Sequence, residues 1–291
     1  MPESRKIAVD VRMTQALLML SILGTGALLK DFSLGISQVA SAFAGGLFTQ
    51  YACMRRLNLK HVGYKSAVIT CLGVSLLLRS DSLYAHALSA AAAVLSKFVC
   101  RISGKHIFNP ANLGVLLGLT LLPGTWVSAG QWGSDTAIAF WLAAFGSVSL
   151  LRLRFQLMTW CFLTFYIGIF YCHRMLWMGY ETAILLHHLQ SGALLLFAFF
   201  MISDPKTAPN HPAAQVLQSL IVAACAYVWQ FELYFTNALL WSLLLASFLV
   251  PLWDRIFTAP AFSWRRTGGN TDEIGSNPAT YFGGSPQHSS A

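Results

Sequence analysis

The chain has 291 residues, of which 56% are hydrophobic and only 10% charged, with a mean hydropathy of +0.58. A soluble domain carries roughly 25% charged residues, so this composition excludes a water-soluble enzyme and leaves the lipid bilayer as solvent. The net charge of +8 reports loop orientation, and no nucleic-acid partner is called for.

A spanning helix needs about 20 mostly apolar residues. In chain order, candidate spans cover residues 13–29, 34–54, 66–78, 83–96, 107–125, 136–151, 155–172, 182–202, 213–230 and 233–252. The third to the sixth are shorter or interrupted; the others carry no charge at all. Backbone polar groups have no partner in hydrocarbon, so these segments are predicted to be helical. Their apolar character is continuous rather than alternating, which excludes a barrel. The expected fold is an all-α integral membrane protein of about ten transmembrane helices.

Lys and Arg collect in cytoplasmic loops. With the N-terminus inside and ten crossings, the inner segments hold Arg5, Lys6, Arg12, Arg55, Arg56, Lys60, Lys65, Lys97, Arg101, Lys105, Arg152, Arg154, Lys206, Arg255, Arg265 and Arg266, while the outer ones hold only Lys30, Arg79 and Arg174. Both termini are therefore expected on the cytoplasmic side of a bacterial inner membrane. Asp31, Asp81, Asp135, Glu181 and Glu232 fall one to each outer loop. None lies inside a predicted helix, where a proton or cation carrier usually keeps a carboxylate.

Residues 1–12 read as a cytoplasmic N-terminal segment, 13–257 as the transmembrane domain, and 258–291 as a disordered cytoplasmic tail rich in Ser, Gly, Asn and Thr. The first span lacks a small-residue cleavage site and is not read as a signal peptide. Six cysteines are scattered without a C-x-x-C and read as packing residues, so no metal site is expected.

Two polar loops on the inner side interrupt this pattern, at residues 101–112 and 203–212. Each places Asn or Asp directly before Pro (Asn109-Pro110, Asp204-Pro205), an N-cap followed by a first helical residue. Each is therefore expected to start a helix. Helix N-termini offer unpaired N–H groups and partial positive charge. With Lys105, Lys206 and Thr207 alongside, they suggest a cradle for a phosphate or other anion. Plain helix capping is the competing reading.

These loops resemble the F-N-P-A and D-P-x-T-x-P signatures of the NqrB / RnfD family. The residues concerned are Lys105, Phe108, Asn109, Pro110 and Asn112 in the first loop, and Asp204, Pro205, Lys206, Thr207 and Pro209 in the second. The outer segment 126–133 is also similar to stand-alone homologues. The resemblance implies a membrane electron-transfer subunit binding flavin (FMN or riboflavin) at these residues. It further implies membrane and peripheral redox subunits as partners, and possible coupling to Na+ or H+ export. Members of that family bind FMN through a phosphoester to Thr in S-G-A-T. No S-G-A-T occurs here; Thr136, in the nearest fragment 133–137, matches only loosely, and a non-covalent flavin and a degenerate site both stay open.

Two other readings stay open. His86, His187 and His188 lie toward the outer side and could ligate a haem b iron. Broken helices beside polar loops are also a transporter feature, although those breaks lie near the membrane midplane and the breaks expected here lie at its edge. The flavin reading predicts a yellow purified protein, with acid precipitation separating bound from released flavin; a colourless protein would contradict it.

Overall fold

The computed structural model of the protein describes residues 11–29, 35–59, 63–127 and 156–260. The sixth expected span, with Thr136 in it, and the tail beyond 260 lie outside the described residues.

The first part of the chain forms helices α1 (Val11–Leu29), α2 (Ile36–Arg56), α3 (Lys65–Leu77), α4 (Leu83–Val99) and α5 (Pro110–Leu121). Strands β1 (Leu78–Ser80) and β4 (Thr125–Val127) follow α3 and α5, while β2 (Arg101–Ile102) and β3 (Lys105–His106) form a hairpin before α5. The second part holds α6 (Gln156–Phe170), α7 (Thr182–Leu189), α8 (Gly192–Leu196), α9 (Pro212–Tyr227), α10 (Ala238–Ala246) and α11 (Val250–Ile256). Turns of π-helix extend α6 over Tyr171–Trp177, α8 over Phe197–Met201 and α9 over Val228–Glu232.

Among the described residues, Pro212–Glu232 and Ala238–Ile256 are long and apolar enough to cross a membrane. A third such element arises if Thr182–Leu189 and Gly192–Met201, bent by 51°, count as one span. The expected span 182–202 is thus not one helix. Ser191 leaves helical geometry at ψ 113, and Gly192 follows it. Serine competes for backbone bonds and glycine costs about 1 kcal/mol against alanine in a helix, so the pair is the weakest point of the run.

Helix α3 has the 13 residues expected of it, and α5, at 12 residues, is shorter than its expected span. At about 1.5 Å per residue they rise roughly 20 Å, less than the roughly 30 Å of a hydrocarbon core. The strands that follow them pair antiparallel, Leu78 with Val127 and Ser80 with Thr125. That pairing satisfies backbone groups where the helices stop.

Segments that the charge pattern groups on one side lie together in the structure. β1 and β4 both belong to outer loops, and Gln38 Nε2 donates to Ser80 O at 2.8 Å. On the inner side Lys97 Nζ donates to Ser66 O at 2.8 Å. Helix α2 packs on α4, α4 on α5, and α6 on α9. The two parts meet where Asn112 Nδ2 of α5 donates to Leu240 O of α10 at 3.0 Å.

Small residues bring α2, α4 and α5 close together, as is usual where lipid supplies no hydrophobic drive between helices. A Cβ on Gly45 would lie 2.8 Å from Ala87 Cα, and one on Gly114 only 2.5 Å from Ala93 Cβ. Gly114→Ala is therefore expected to cost about 1–3 kcal/mol through overpacking, read as a lower melting temperature in detergent. Gly168→Ala, also within a helix but with nothing within 4 Å, is the control and should hold or slightly raise it, alanine being the better helix former.

Candidate functional site

The two polar loops meet at the inner face. Asn109 makes the junction. Its Oδ1 accepts from Asn112 N at 3.1 Å and caps α5, with Pro110 as the first helical residue. Its Nδ2 donates to Met201 O at 3.1 Å and to Asp204 Oδ2 at 3.5 Å. The expected N-cap is thus present, and its amide also ties the first loop to the second.

The second loop departs from expectation. Asp204-Pro205 starts no helix; α9 begins at Pro212, capped by His211, whose Nδ1 accepts from Ala213 N at 3.1 Å. Prolines at 205, 209 and 212 explain this, since a helix from 205 would meet Pro209 and Pro212 in its interior, where each removes a bond and clashes. Asp204 instead forms a turn in which its Oδ1 accepts from Lys206 N at 3.0 Å. Thr207 Oγ1 donates to Asp204 O at 3.4 Å and is buried, like Pro205 and Pro209. Pro209 O accepts from Gln215 Nε2 at 3.0 Å. The second helix-terminal cradle is therefore absent at Asp204.

A third segment completes the clasp. Lys105 Nζ donates to Asp254 Oδ2 at 2.8 Å and to Asn210 Oδ1 at 3.3 Å, and Asp254 Oδ1 accepts from Asn210 N at 2.9 Å. Lys105 is thus committed to an ion pair instead of facing an anion. Sequence reasoning missed Asp254. Its signal was an acid among basic residues at the inner end of the last span. Phe108 packs edge-on against Phe248 at 5.0 Å.

Beside the clasp lies a cavity of about 90 Å3, lined among others by Arg12, Ser66, His106, Asn109, Asp204 and Lys206. A buried water needs roughly 10–15 Å3 of such space, so the cavity has room for several waters. Ligand pockets for molecules of flavin size run to roughly 300–1,000 Å3. The three-ring flavin does not fit this cavity, and no electron-transfer step is assigned to it. Burial is the largest influence on the ionisable groups here. It pushes the Asp204 carboxyl up, against the Lys206 N–H and the Lys97, Lys206 and Lys105 charges. It pushes Lys105 down, opposed by the bond to Asp254. His106 falls to about 3 through burial and then the charges of Arg101, Lys97 and Lys206; its Nδ1 has no hydrogen-bond partner among the described residues.

The outer histidines belong to separate groups. His86 is fully buried with Nε2 3.3 Å from Leu78 O. His188, in the last turn of α7 rather than the first, lies 3.1 Å from Tyr166 OH and stacks on Phe170. No group of three His, Cys, Asp or Glu that could hold a metal exists among the described residues.

Residues 120–263 match the model of the NQR2, RnfD, RnfE family. Over that span the chain is similar to this family. The span includes the second loop and the outer part of α5 but not Asn109. Relatives named as the D subunit of an ion-translocating oxidoreductase complex are similar over shorter stretches. The protein of Aeromonas hydrophila is 32% identical over 85 residues, 29% of this chain and 24% of its own. That of Aeromonas salmonicida is 31% identical over 85 residues, again 29% and 24%. That of Stutzerimonas stutzeri is 34% identical over 83 residues, 28% and 23%. The aligned stretch thus spans about a quarter of the length of these relatives.

The buried imidazole of this NQR2, RnfD, RnfE relative gives a signed pH dependence. Between pH 6.5 and about 3 the unfolded chain takes up a proton on His106 that the folded chain refuses, so stability falls on acidification. Asp204, with its carboxyl raised, works in the opposite direction. His106→Gln should flatten the acid-side fall in melting temperature through this window. An unchanged slope would contradict the assignment.

Proposed function

We propose that this chain is a membrane component of a multisubunit ion-translocating oxidoreductase complex, seated in a bacterial inner membrane with its clasp on the cytoplasmic face. The family match over residues 120–263 is the observation that carries this reading. The names of the partial relatives support it, and so do the apolar helices of membrane length. The crossing of the bilayer about ten times, with both termini inside, belongs to the same proposal.

In this reading the chain supplies a helical framework, and partner proteins, membrane-bound and peripheral, bring the redox groups. Three residues do the holding at the inner face. Asn109 fixes the start of α5 to the end of the preceding π-turn at Met201, while Lys105 and Asp254 fix the first loop to α11. The acids of the described helices support the same division of labour. Asp254 is paired with Lys105, and Glu232 Oε1 lies 2.9 Å from Arg174 Nη2. Each of these carboxylates is held by a cationic side chain, and ion movement is assigned in this reading to surfaces that the assembly completes. FMN or riboflavin is accordingly assigned to the partners and not to the clasp cavity.

The test uses the full chain, tagged in its own host and extracted in mild detergent. Redox proteins of the complex should co-purify, and deleting the gene should abolish ion uptake driven by electron transfer in membrane vesicles. A chain that purifies alone, with uptake intact in the deletion strain, would sink the assignment.

A further inference from the structure

The break between α7 and α8 reads Ser191-Gly192-Ala193-Leu194. It reproduces three of the four letters of the S-G-A-T implied by the family resemblance, lies inside the matched span, and precedes Asp204 by ten residues from Leu194 (204 − 194). It is a closer match than residues 133–137. The fourth position is the one that departs.

Leu194 is 1% exposed and belongs to the main hydrophobic core, with Phe162 and Phe197 in the same cluster. A phosphoester joins a hydroxyl oxygen to phosphorus, the hydroxyl proton departing with the leaving group. The leucine side chain has only carbon and hydrogen, so it can supply neither the oxygen nor the proton. Nearby hydroxyls give no replacement in the same place. Thr159 Oγ1 is fully buried and donates to Ala198 O at 2.7 Å. Ser191 is half-buried, caps α8 without a side-chain bond, and stands three positions earlier. Burying a leucine here gains about 1.5–3 kcal/mol over leaving it exposed, so the site has been given over to packing.

We infer that this chain carries no ester-bound flavin at its helix break: Leu194 fills with hydrocarbon the place where that chemistry needs a hydroxyl. The break outlasts the attachment because Ser191 and Gly192 set the backbone whatever occupies position 194. The inference rests on the match of this span to the family and is independent of whether the chain assembles with redox partners.

Intact-mass spectrometry of the full chain, purified from its flavin-replete native host, tests it together with peptide mapping across residues 182–201 and flavin fluorescence in a denaturing gel. The expected result is a peptide of unmodified mass and no fluorescent band from this segment. A flavin-phosphate increment that maps to Ser191, and is lost in Ser191→Ala, would overturn it. An unmodified peptide supports it even when redox partners co-purify, and failure of co-purification counts against the assembly alone.

Discussion

The inner half of the fold turns on one amide. Asn109 Oδ1 caps α5 and Asn109 Nδ2 holds Met201 O, so a single side chain sets both where a helix begins and what it begins against. It is only 6% exposed, in surroundings where an unpaired polar group costs about 1–3 kcal/mol. Both ends of the amide must be satisfied, and only one arrangement of the two loops does so. The Lys105–Asp254–Asn210 bonds then add α11 to the same junction.

The outer half follows a different rule. Three neighbouring segments leave α-helical geometry there: the π-turns at Tyr171–Trp177 and Val228–Glu232, and the break after Leu189. Side chains compensate. Arg174 Nη2 donates to Phe231 O at 2.7 Å and pairs with Glu232, while Tyr166 OH donates to Gln230 Oε1 at 2.7 Å beside His188. Irregular backbone at this depth is tolerated where protein groups take up the freed bonds, and these residues are where that happens. His188, one of the histidines that suggested a haem, is part of this compensation.

Leu194 and the small clasp cavity bear on the same question from opposite faces. Both sit where the family resemblance implies flavin chemistry, one lacking the hydroxyl and the other the space.

The sequence by itself determined the apolar and helical character of the chain and which loops lie together. Hydropathy and the distribution of Lys and Arg are sums over many residues, and no single contact can overturn them. It also determined the cap at Asn109-Pro110, because capping is decided within four residues. The tertiary structure decided the rest. Asp204-Pro205 carries the same local signal but starts no helix, since Pro209 and Pro212 oppose one; its carboxylate closes a local turn on Lys206 N and meets Asn109 Nδ2 from the other loop. Asp254 went unremarked in the sequence, and its role comes from a partner 149 positions away. Whether a basic residue is a free cation or half of an ion pair depends on what the fold brings to it, which spacing along the chain does not encode.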